Sequence, residues 1–248
     1  MPDDKMWSDQ KSVRILVSAF IAFASVALVA GASRMSHSGW QMAIAGDVMR
    51  WREAMSMLLF APLLAVCFWL IVKAVGRGRV NPACAALMAL SIYLVGCGMG
   101  MHDPTNLVQA VYREPQLTGA LRRTMVFFDD QLGHWVFWSG FVLGSWTIGL
   151  QQVLAPLDNK VPWRFAAALL AVCAALLWVM LTNLWDEYPK TVEDLWVIGA
   201  AAALPTVALV FRAKAGLRRM PVLMVVLPAY WGSIIGTLVC WLCRGYFK

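Results

Sequence analysis

The sequence predicts an all-α polytopic membrane protein, a single bundle of seven transmembrane helices, and three observations predict it. First, 60% of the 248 residues are hydrophobic and only 14% are charged, against about 45–50% and about 25% in ordinary globular chains. Second, the excess falls in blocks long enough to span a bilayer, which takes roughly 20 apolar residues on a helix. Third, the mean hydropathy is +0.65 and the longest polar connection is about 30 residues, too short to build a separate core.

The blocks lie at about 13–33, 55–75, 82–101, 132–155, 163–184, 193–211 and 220–243. The first follows Lys5, Lys11 and Arg14 and closes on Ala30-Gly31-Ala32, which has the shape of a signal peptide. Its generous length favours an uncleaved helix, and cleavage would leave six. Pro62, Pro205 and Pro228 fall inside helices two, six and seven, where neighbouring helices can satisfy the backbone groups a proline frees. Between helices one and two, residues 40–54 mix Trp40, Trp51 and charges at helical spacing, as an interfacial helix does. Residues 104–128 read as a second amphipathic cover, opening at Pro104 and broken near Pro115.

Lys and Arg in the connections set the orientation. Segments 1–14, 73–79, 160–164 and 212–219 hold 12 of the 21, and the opposite connections hold 9. The expectation is an integral protein of a plasma or inner membrane, N-terminus cytoplasmic and C-terminus outside. The formal net charge of +7 then belongs to loops beside an anionic leaflet. Nucleic acid is not an expected partner; membrane lipids and partner membrane subunits are.

With that topology the outer boundary collects His37, His102, Asp129, Asp130, His134, Asp186, Glu187, Glu193 and Asp194. The densest stretch is 96–138, GCGMGMHDPTNLVQAVYREPQLTGALRRTMVFFDDQLGHWVFW. Asp130 and His134 are four apart, so an α-helix places them on one face. His102 ends the antiparallel helix three and reaches the same depth. His102, Asp130 and His134 are therefore candidate ligands of a divalent metal, zinc first, with manganese, iron or copper also compatible. Asp186 or Glu187, in the turn after helix five, would complete the shell or act as general base. The alternatives are structural: Asp130 as a helix cap, Asp186 and Glu187 as ordinary turn residues, and Glu193 and Asp194 as first-turn acids favoured by the helix dipole.

Other signals are weaker. Cys67, Cys84, Cys97, Cys173, Cys240 and Cys243 lie in apolar runs and read as small buried residues, the Cys240-x-x-Cys243 pair included. Met99, Met101 and His102 would suit Cu(I), but packing explains the methionines. Gly96, Gly98 and Gly100, and the Gly140–Gly144 pair, mark close helix contact, with the two sets expected to face each other. No Walker A loop, HExxH or GxSxG is present.

Seven helices with His102 near the end of helix three and Asp130 and His134 opening helix four resemble the superfamily of alkaline ceramidases and progestin/adipoQ receptors. The resemblance covers residues 96–138. It implies a seven-helix bundle around a zinc ion that activates water against a lipid amide. Gly98 stands where that family carries serine, and the last helix here has no histidine pair, so a three-histidine zinc site does not carry over. The functional expectation is a metal-dependent hydrolase acting on a lipid-like substrate; the alternative is a non-catalytic subunit or scaffold of a membrane complex.

Overall fold

A computed structural model describes residues 8–35, 50–111, 118–184, 191–211 and 216–244. These residues are almost wholly helical, without β-strands. Seven long helices run through them: α1 (Asp9–Met35), α2 (residues 51–75), α3 (Pro82–Val111), α4 (residues 119–154), α5 (Trp163–Leu184), α6 (Thr191–Phe211) and α7 (Pro221–Arg244). Six of them, all but α4, are long and apolar enough to cross a membrane. Helix α4 is the longest, but Ser145, Thr147, Gln151, Gln152 and five glycines dilute its apolar content.

The helices form a closed circuit in which α1 packs on α2, α2 on α3, α3 on α4, α4 on α6, α6 on α7, α7 on α5 and α5 back on α1. Helix α4 also touches α2 and α7, which places its polar side chains inside the bundle. The largest core joins Leu16 and Phe20 of α1, Ile71 and Val72 of α2, Met88 of α3, Leu169 of α5 and Val225 of α7. Large apolar side chains such as Trp178, Trp196 and Leu58 point outward, as they should where lipid tails rather than water surround the helices.

Two helices depart from regular geometry. In α2 the turn Ser56–Phe60 is π-helical, and in α4 the segment Phe127–Gly133 is. A π-turn bonds residue i to i+5 and so inserts an extra residue into an α-helix. Helix α3 also runs ten residues beyond its expected end and takes Pro104 into its interior. There the Thr105 hydroxyl donates to the Met101 carbonyl at 2.7 Å and the His102 carbonyl at 3.0 Å, which reinforces the turn. The expected cover over 104–128 is thus divided: residues 104–111 end α3 and 119–126 begin α4. Of the expected interfacial helix at 40–54, residues 51–54 open α2, and 40–49 lie outside the described residues.

Helices α3 and α4 meet in a four-residue antiparallel register. Gly133 approaches His102, Gly98 approaches Phe137, Gly140 approaches Val95, and Gly144 approaches Ser91. A Cβ on Gly98 would stand 2.5 Å from the Phe137 nitrogen, and one on Gly140 would stand 2.7 Å from the Val95 nitrogen. The Ser91 hydroxyl closes the contact by donating to the Gly140 carbonyl at 2.7 Å. The expectation that Gly140 and Gly144 face Gly96, Gly98 and Gly100 is corrected here. In an antiparallel pair they are too far along, so they meet Ser91 and Val95, while Gly96 and Gly100 have open space beside them.

One end of the bundle is cross-braced. Arg77, in the turn after α2 with φ of 53°, pairs with Asp158 of the α4–α5 loop and lies 3.6 Å from Asp9 at the start of α1. Asp9 also accepts the Asn159 backbone N–H at 2.9 Å. The same loop pairs with the α6–α7 connection, Leu157 and Val161 donating to the carbonyls of Arg219 and Arg218 at 3.1 and 2.8 Å. From α4, Gln151 accepts the Asn81 N–H at 3.2 Å and Gln152 the Val222 N–H at 3.1 Å. Every connection at this end is therefore tied to another. His102 and His134 lie at the other end.

Candidate functional site

The site rests on the end of α3 and the front of α4. Met125, Asp129 and Gly133 of α4 are buried, Met125 at 6% exposed and Asp129 at 4%. Gly133 is needed there because a Cβ would lie 2.7 Å from the Phe128 carbonyl oxygen and 3.4 Å from the His102 Cβ. The missing side chain lets His102 sit directly against α4.

His102 Nδ1 lies 2.5 Å from Asp129 Oδ1. The two groups form an ion pair when the imidazole is protonated. The His134 ring lies beside it, centroid to centroid 4.8 Å with the planes inclined by 47°. His134 is exposed, whereas the His102 side chain is only 21% exposed. One imidazole is held from behind, and the other is open to the outside.

The expected cluster is therefore assembled in part. His102 and His134 are brought together. The carboxylate on His102 is Asp129, because the π-turn puts residues five apart where an α-helix puts residues four apart. Asp130 occupies the same π segment, and its side chain lies outside the described residues. Asp186 and Glu187 also lie outside them, as does His37. Among the described residues no three or more His, Cys, Asp or Glu side chains gather as a metal-holding group. The donors on view are thus two imidazoles, with Asp129 behind one of them. Two imidazoles at this centroid distance share one metal only when a nitrogen of each ring points to a common position about 2 Å away.

Other buried polar groups at this end went unread in the sequence. Glu53 is 1% exposed and is neutralised by Arg50 and Arg52, the latter at 2.8 Å. Its signal was the Arg-Trp-Arg-Glu run at 50–53, which places two guanidinium groups within one turn of a carboxylate. Asp103, next to His102, is also buried. Asp194, in the first turn of α6, has the Trp138 indole N–H as a hydrogen-bond partner, so this acid bridges α6 to α4 as well as opening its own helix. Deeper in the bundle the hydroxyls of Ser145 and Tyr230 lie 2.7 Å apart, and the Trp146 indole donates to the Ala200 carbonyl at 2.7 Å.

No family model, curated protein or solved structure matches the chain.

Proposed function

We propose that this chain is a seven-helix integral membrane protein that binds a divalent metal ion, zinc first, through His102 and His134 and hydrolyses a lipid-like substrate reaching it from the bilayer. The observation that supports it is the His102–Asp129 contact of 2.5 Å with the His134 ring 4.8 Å from that of His102. A metal-bound histidine characteristically gives its other ring N–H to a carboxylate, which fixes its tautomer and raises its basicity. Asp129 stands in that relation to His102.

When bound, such an ion lowers the pKa of a coordinated water towards neutrality and polarises a carbonyl. The chain's own part is positional. Asp129 holds the His102 ring, Gly133 lets the two helices close, and exposed His134 completes the pair from the solvent side. Asp130 and Asp186 or Glu187 are assigned to the remaining ligand positions or to the general base. Phe128 and Trp135 of the same stretch of α4 are exposed, giving an acyl chain an apolar approach. We place the N-terminus and the cross-braced end in the cytoplasm, on the Lys and Arg bias of the connections, so the site opens outward.

A second reading takes the same contact as a lock between α3 and α4 in a non-catalytic subunit. Metal analysis of the purified, detergent-solubilised protein separates the two. Near-stoichiometric zinc that is lost on His102→Ala and on His134→Ala supports the site. No bound metal, with His102→Ala lowering only thermal stability and a partner subunit co-purifying at fixed ratio, supports the lock.

A further inference from the structure

The front of α4 has a second face. Residues Gly119, Arg122, Arg123, Val126, Phe127 and Gln131 line a groove of about 590 Å³ on it. Both arginines are exposed, and Phe127 is 42% exposed. The helix is anchored at its start, where Thr118 accepts the Leu121 N–H, and it continues without a break through the π segment into the bundle. The groove therefore runs from two fixed positive charges to an apolar floor at the end of a helix bundle.

We propose that this groove binds the phosphate headgroup of an anionic membrane lipid, with Arg122 and Arg123 on the phosphate and an acyl chain along Val126 and Phe127. Guanidinium groups match phosphate oxygens in pairs, and the change from charge to aromatic within two turns matches a molecule whose head is anionic and whose tail is not. A free phosphate would use the arginines and leave Val126 and Phe127 without a role, so the ligand is the lipid. The proposal goes beyond the metal reading and stands if that reading fails, because it uses neither histidine.

Native mass spectrometry of the full chain, released from detergent with phosphatidylglycerol or phosphatidylcholine added, tests it. The expected result is selective retention of phosphatidylglycerol, weakened about 30-fold in Arg122→Gln/Arg123→Gln, from about 1 kcal/mol per basic residue. Arg122→Lys/Arg123→Lys should recover most of the loss. Lys160→Gln/Arg164→Gln, which removes the same charge at the far end, should retain the lipid. Equal retention of the two lipids, or equal loss with the far-end pair, overturns the proposal. So does inorganic phosphate that, at millimolar concentration and without added lipid, protects the wild type but not Arg122→Gln/Arg123→Gln against thermal unfolding to the extent phosphatidylglycerol does, since that describes a free-anion site.

Discussion

His102 is held from behind by Asp129, one residue before the aspartate that α-helical spacing selects. The neighbouring Asp130 shares the segment but not the register. If a metal is bound through His102 Nε2, Asp129→Asn keeps the size of the side chain and removes the charge that orients the ring. Metal affinity should fall about 10–100-fold, measured by competition with a chromogenic chelator, while the helical content by circular dichroism stays unchanged. An affinity equal to wild type would detach Asp129 from the site.

The α3–α4 register makes opposite forecasts for neighbouring glycines. Gly98→Ala places a methyl group 2.5 Å from backbone, so the helices must separate, at a cost of about 1–3 kcal/mol. Gly96→Ala and Gly100→Ala enter open space and should be neutral or stabilising, because alanine favours a helix over glycine by up to about 1 kcal/mol. Unfolding midpoints in a mild detergent mixed with dodecyl sulfate distinguish the two classes. Equal effects at all three positions would contradict the packing described.

How much of this was readable beforehand depends on the interaction concerned. The apolar blocks placed the helices to within a few residues except at the ends of α3 and α4, because a spanning segment must be apolar along its length whatever it packs on. The common depth of His102 and His134 followed from chain direction alone, since a helix ending and its antiparallel successor beginning meet at one boundary; that the two helices pack directly on each other did not. The exchange of Asp130 for Asp129 did not follow, since a π-turn arises from packing against α3 and has no sequence signature of its own. Gln151 and Gln152 stand near the end of an apolar block, yet their partners, the backbone of Asn81 before α3 and of Val222 at the start of α7, are 70 residues away. No local pattern announces such a bond.

Gln152 is wholly buried and accepts the Val222 N–H in the first turn of α7. Gln152→Leu keeps the bulk and strands that donor, so it should destabilise the protein by about 1–3 kcal/mol. Gln152→Glu, which retains an acceptor, should be milder only when its carboxyl is protonated. Thermal unfolding at pH 5 and pH 8 would show the difference narrowing for Glu and constant for Leu.

The Ser145–Tyr230 contact joins α4 to α7 in the interior. Ser145→Ala, Tyr230→Phe and the double variant should give a coupling energy of about 0.6–1.7 kcal/mol, the range found for hydrogen bonds between membrane helices. A coupling indistinguishable from zero would mean the two hydroxyls are satisfied elsewhere.

The π segment at Phe127–Gly133 amounts to one residue more than a continuous α-helix would hold. Deleting a residue within it would let α4 close into regular α-helix while everything from His134 onward kept its place. Each α-helical residue turns the chain by about 100°, so the deletion would swing the whole front of the helix by that angle. Asp129 would leave His102, and Arg122 and Arg123 would turn with it. A single codon thus separates a helix that carries two differently facing surfaces from one that presents neither where it is needed.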